Sequence, residues 1–174
     1  MKTLYCLLSI TAFITAAQGQ SYIAHLDGAQ DGGGARQGSG TVNLTLSGLS
    51  LSLSGSYSGL TTPITLGHIH GPAIPGVNGS VIYDLFGTGI ITGTTSGTYN
   101  GTVTLIPIVT GYTTTAQQIT DLNAGLWYLN IHDSTFPGGE IRGQITLVPE
   151  PSSLALVGLG IGALALRLRR QTPY

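Results

Sequence analysis

The chain has 174 residues, of which only 7% are charged, with 27 glycines, a single cysteine and a formal net charge of −1 at pH 7. Between positions 20 and 148 only Arg36 and Arg142 stand against six carboxylates, a local net charge of −4, which leaves no electrostatic footprint for nucleic acid or anionic lipid. Cys6 lies outside that segment, so it holds no thiolate metal site, no cysteine nucleophile and no internal disulfide.

In chain order, Lys2, the apolar run Leu4 to Ala17 and the small residues of Ala17-Gln18-Gly19 have the layout of a secretory signal peptide over residues 1–19. Signal peptidase is therefore the first expected partner. Residues 21–147 are then one domain's worth of chain. Tyr22 to Leu26 is its first expected strand. Thr41 to Leu46 and Leu49 to Ser54 alternate apolar and small polar residues with a period of two, as half-buried strands do. Val81 to Phe86, Gly101 to Ile106, Leu126 to His132 and Glu140 to Leu147 follow the same pattern between Gly-, Pro-, Asn- and Ser-rich turns. Together they predict an all-β domain, an antiparallel β-sandwich of Greek-key/immunoglobulin-like or superoxide-dismutase-like type. One short helix interrupts the pattern at Thr115 to Ala124. There Ile119 and Leu122 are three apart, Thr114 or Thr115 is available as a cap, and Gly125 suits the C′ position.

Two of the four histidines, His68 and His70, lie two apart and so point to one face of a strand. His132 shares a face with Asn130 and Tyr128 and closes a strand before Phe136-Pro137-Gly138-Gly139. Pairing of the two segments brings three imidazoles together, an arrangement that suits zinc or copper with one position left open. The competing reading is structural, with imidazoles hydrogen-bonded to the neighbouring turns. The metal reading requires His68, His70 and His132 to converge within about 4 Å, and the structural one does not. Nothing in the sequence ties His25 to the other three.

Glu140 and Arg142, two apart on the last expected strand, read as an ion pair that fixes its register, with a ligand-binding or general-acid pair as the alternative. Trp127, Tyr128, Tyr83 and Tyr112 are candidates for stacking on sugar rings, or else core residues; a carbohydrate-binding module would need them exposed. No Gly-X-Ser-X-Gly elbow occurs, and no second carboxylate stands near Glu140 in a glycosidase spacing. No catalytic residue is assigned, and a non-enzymatic structural or binding role is the main expectation. A metal-binding, redox-active protein is the alternative, with no other cofactor implied.

Beyond the domain, Pro149-Glu150-Pro151 breaks any regular element. An uncharged run from Leu154 to Leu166 follows, about 20 Å of helix and short for a span, and then Arg167, Arg169 and Arg170. Triplet, apolar helix and basic cluster in this order resemble the PEP-CTERM sorting signal of Gram-negative bacteria, over residues 148–170. The resemblance implies processing by an exosortase, an inner-membrane-anchored precursor, and a mature protein at the cell surface or in an extracellular, exopolysaccharide-bearing matrix. An exopolysaccharide or surface protein is then an expected partner. Gly67-His-Ile-His-Gly-Pro-Ala73, together with Leu126 to Ile145 (containing Asn-Ile-His and Gly-Gly-Glu-Ile-Arg-Gly-Gln), resembles the two signature blocks of the CHRD domain. Ala24 to Gln30 resembles that family's first strand, and the stretch Ala29 to Gly38 departs from its usual pattern. The resemblance implies an exported β domain and no general biochemical activity.

Overall fold

The computed structural model describes residues 19–32 and 36–149, together with helical positions 158, 160–162 and 167. Residues 1–18 of the signal peptide expected at 1–19, and Glu150, Pro151, Arg169 and Arg170 of the sorting signal, lie outside the described residues. Among those described, no helix is long and apolar enough to cross a membrane.

Nine strands and one helix follow one another as β1 (Gln20–Asp27), β2 (Ser39–Ser47), β3 (Ser50–Ser58), β4 (Ile64–His70), β5 (Val81–Asp84), β6 (Ile91–Gly93), β7 (Gly97–Thr104), α1 (Thr115–Asn123), β8 (Tyr128–Asp133) and β9 (Ile141–Leu147). The expected all-β class with one short helix is what the structure shows. All pairings are antiparallel, in one sheet of order β5-β4-β8-β9-β1-β2-β3-β7-β6. The sheet curls into a half-barrel, so the facing layers of a sandwich are here two halves of one sheet.

The period-two pattern dictates which way each strand faces. Val42, Leu44 and Leu46 of β2 point inward against Leu51 and Leu53 of β3, with Leu44 paired to Leu53 and Leu46 to Leu51. Tyr22, Ala24 and Leu26 of β1 continue the same layer. Each such aliphatic side chain contributes about 1.5–3 kcal/mol on burial. The two sheet ends approach each other, since Leu60 donates its N–H to Thr95 O (3.0 Å) and Ile64 to Thr94 O (3.1 Å). Gly67 is the point of contact on β4. A methyl group there would collide with Ile91 Cδ1 of β6, so glycine permits the curl.

Helix α1 is capped by Thr114, whose Oγ1 accepts from Gln117 N at 3.2 Å, and Gly125 takes the left-handed conformation after it at φ +69°. Its buried residues are Leu122 and Gln118; Ile119 is half-buried. Gln118 tolerates the core because Nε2 donates to Ile106 O (2.6 Å) and Oε1 accepts from Tyr83 OH (2.7 Å). Trp127 is also core, its Nε1–H donating to Tyr112 OH at 2.7 Å. Trp127, Tyr112 and Tyr128 are buried and Tyr83 half-buried, so these four offer no exposed stacking platform.

Strand β8 is the exception to alternation: all six of its residues are buried. Leu129 and Ile131 face the core, which puts Tyr128, Asn130 and His132 on the outer face. Chain crossing that face covers them: Gly79 meets Tyr128, and Pro137 and Gly138 meet His132 and Asn130. This covered polar face is where the chemistry gathers.

Candidate metal centre

Strands β4 and β8 pair with His68 opposite Asn130, His70 opposite Tyr128 and Leu66 opposite His132. Ile69 turns inward and is fully buried, so His68 and His70 stand on the covered outer face. His132 lies diagonal to His68 on that face, within reach across antiparallel strands. The structure puts all three histidines singled out in the sequence on one face, with one ring nitrogen of each within 4.8 Å of the others, wider than the about 4 Å that the metal reading calls for. His68 Nδ1 is 3.2 Å from His132 Nε2. Two nitrogens bound tetrahedrally at about 2.0–2.1 Å from an ion are about 3.4 Å apart, so this pair already spans one edge of such a site. The widest separation must close by roughly 1.5 Å for all three to bind, and half-buried His68 is the ring with room to move.

The hydrogen bonds set the tautomers. His70 Nδ1 lies 3.0 Å from Gly79 O, and His132 Nδ1 lies 3.0 Å from Pro137 O. A carbonyl only accepts, so each Nδ1 carries the proton and each Nε2 presents a lone pair. The His132 lone pair faces His68. The His70 Nε2 is buried and has no hydrogen-bond partner. A ring held at Nδ1 by a carbonyl, with Nε2 free, is the outer-shell arrangement of a metal-ligating histidine.

The site also keeps its imidazoles neutral. Burial pushes His70 down to about 4, and it lowers His68 and His132 as well, with mutual repulsion adding to the effect at His68 and His70. Tyr128 stacks on His70, with ring centroids 4.8 Å apart and planes 7° apart, and its OH accepts from Gly79 N at 3.0 Å. From β9, Arg142 lays its guanidinium over Tyr128 at 3.5 Å.

The CHRD domain family model matches residues 22–145, and that span includes every residue just described. The chain belongs to the CHRD domain family. The PEP-CTERM protein-sorting motif matches residues 147–170. That motif marks an exported protein of Gram-negative bacteria with a membrane-anchored precursor, processed by exosortase. The comparisons with curated proteins and with solved structures gave no match.

The other expected site residues of the CHRD domain have different surroundings. His25 is exposed on β1, its Nδ1 3.3 Å from Thr41 Oγ1. Glu140 and Arg142 do not form the expected ion pair. Glu140 precedes β9 and follows Gly139 at φ +131°, which takes its side chain out of the strand's alternation. It accepts instead from Thr61 N (2.8 and 3.0 Å) and Thr61 Oγ1 (2.7 Å). Arg142 donates to Val77 O (2.6 Å) and Asn78 Oδ1 (3.2 Å). Pro149 is exposed just past β9, and Arg167 is exposed at a helical position.

Beside Glu140 is a buried acid the sequence did not single out. Asp133 accepts from Thr62 N (2.8 Å), Thr62 Oγ1 (2.7 Å) and Phe136 N (2.6 Å). Burial works against its charge, yet these hydrogen bonds hold the Asp133 carboxyl below the usual range, while burial lifts that of Glu140. The two carboxyls thus pin Thr61 and Thr62, in the β3–β4 connection, to the end of β8. Adjacent threonines facing two acids distant in sequence gave no local pattern to find.

Proposed function

We propose that this CHRD domain is an exported metal-binding module whose ligands are His68, His70 and His132. One observation carries the reading: three imidazole nitrogens gather within 4.8 Å, and two of the rings are locked by backbone carbonyls with Nε2 directed away from them. An all-imidazole set favours copper or zinc, copper having the higher intrinsic affinity. Half-buried His68 leaves one side of the site open to a water or small ligand. When bound, copper supplies one-electron chemistry and zinc Lewis acidity, while the chain's own residues hold the rings neutral and oriented. Display at the cell surface or in an exopolysaccharide matrix fits the sorting motif.

The test is elemental analysis and calorimetric titration with copper and zinc of the full-length chain without tag histidines, beside a His68→Ala/His70→Ala variant. One ion per chain, lost in the variant, is expected. An intact protein that binds neither ion, or a variant that binds as well as its parent, overturns the reading.

A further inference from the structure

The neighbouring strands β9, β1, β2, β3 and β7 share one rim of the half-barrel, fixed by their register. Strand β1 begins there with Gln20 opposite Leu46, and β2 turns into β3 between Ser47 and Ser50. Strand β7 ends there with Thr104 opposite Ser50, and β9 ends with Leu147 opposite Tyr22. Just past the strands, Leu105 donates its N–H to Leu49 O and Val148 donates to Ser21 O, both at 2.8 Å. Five large apolar side chains are exposed along this rim: Leu49, Ile106, Ile108, Leu147 and Val148, from 39% at Val148 to 77% at Ile108. Apolar side chains exposed singly are ordinary, but a row of them marks an interaction surface.

Charge is absent from this rim and gathered at the other. Residues 20–23, 44–53, 102–114 and 145–149 hold no charged side chain. At or beside the opposite rim, Asp27 pairs with Arg142, Asp31 and Arg36 follow in the β1–β2 connection, Asp133 ends β8 and Glu140 precedes β9. Helix α1 is tied to the apolar end, with Tyr22 OH donating to Asn123 Oδ1 at 2.6 Å. Its one charge, Asp121, is half-buried against Tyr112.

The chain itself says what this rim meets. Leu154, where the apolar run of the sorting motif begins, is six residues past Val148, and that length of chain spans at most about 20 Å. The expected signal peptide joins the domain at the same rim, one residue before Gln20. In the membrane-anchored precursor this rim is therefore the part of the domain held beside the bilayer. So short a tether keeps the local concentration of lipid high, and a weak apolar contact suffices. With no lysine or arginine on the rim, the contact is apolar rather than with anionic headgroups.

We propose that the rim formed by Leu49, Ile106, Ile108, Leu147 and Val148 docks on the lipid bilayer that anchors the precursor, with the charged rim directed away from it. Docking holds Pro149-Glu150-Pro151 at the bilayer surface, where a membrane enzyme meets it, and processing frees the domain from its tether.

The test is fluorescence quenching in phosphatidylcholine vesicles that carry a nitroxide-labelled lipid and no other protein. The full-length chain with Cys6→Ser is labelled at Ser50→Cys on this rim or at Ser58→Cys on the other, both exposed positions. Quenching at position 50 and none at position 58 is expected. Leu49→Ser/Ile106→Ser/Ile108→Ser changes exposed residues only and keeps both apolar ends of the chain, so it stays with the vesicles. It is expected to lose the quenching at position 50. Equal quenching at the two positions, or a triple variant quenched like its parent, overturns the proposal. No quenching at position 50 also overturns it, and then a membrane protein rather than lipid is the partner of this rim. The metal reading stands or falls separately, since no histidine is altered.

Discussion

His70 carries a cost that the rest of the cluster shares in smaller measure. Its folded pKa of about 4 lies below the 6.5 of an ordinary histidine, chiefly because the ring is buried. Between those values the unfolded chain binds a proton that the folded chain excludes, so stability falls as the pH drops from about 6.5 toward 4. The full shift corresponds to roughly 3 kcal/mol, at one pKa unit per 1.36 kcal/mol. His68 and His132 shift in the same direction and add to the slope. Urea unfolding of the metal-free protein across this window is expected to show the loss, and His70→Gln to flatten it. Parallel curves for the two proteins would show that His70 is already protonated in the fold. Neutral, desolvated imidazoles with lone pairs in a common volume are a costly arrangement unless something binds them.

At the scale of elements, the connection between β3 and β4 is held by two buried carboxyls as well as by Leu60 in the core. Thr62 Oγ1 donates to Asp133 Oδ2 at 2.7 Å while its N–H donates to the same atom at 2.8 Å. Thr62→Val keeps the shape and the backbone bond but removes the hydroxyl from a buried carboxylate. A loss of about 1.5–3 kcal/mol is expected, read as a lower urea midpoint with an unchanged slope. Thr104→Val, at an exposed β7 position, is the control and is expected to stay within about 0.5 kcal/mol. Equal midpoints for the two variants would mean that the hydroxyl contributes nothing. What the sequence made legible follows the same division. Strands β2 and β3 were readable because Val and Leu alternate with Thr, Asn and Ser over Thr41 to Leu46 and Leu49 to Ser54. Helix α1 was readable because Thr114, Leu122 and Gly125 stand at cap, face and C′. Strand β7 begins at Gly97, earlier than Gly101 where its pattern becomes visible, because the glycines hide the inward turn of Tyr99. Strand β6 has three residues, too few for any period to show. The histidine cluster was legible because His-X-His fixes a common face before any fold is known. Thr61 and Thr62 were not, because their partners lie 79 and 71 residues away and no local pattern links them.

For the whole molecule, the curl of the sheet and the covered outer face are two sides of one arrangement. Gly67 lets β4 meet β6 on the inside, and on the outside the same strand carries His68 and His70 under the chain that runs from Gly71 to Ser80. That chain touches the cluster at Gly79, while the β8–β9 connection touches it at Pro137. An ion bound by His68, His70 and His132 therefore joins β4 to β8 and, through the carbonyls on His70 and His132, fixes both covering segments. Because the unfolded chain scatters the three rings, binding acts as folding free energy. At a free ion concentration of 100 times the dissociation constant the gain is about 2.7 kcal/mol. For a domain of this size that is a rise of roughly 5–15 °C in melting temperature. Scanning calorimetry with and without copper or zinc is expected to show this rise in the parent protein and none in His68→Ala/His70→Ala. The covering segments should move with the sheet, so amide hydrogens of Gly71 to Ser80 are expected to gain exchange protection on metal addition. A higher melting temperature without added protection there would confine the ion's effect to the strands and separate the cluster from its cover.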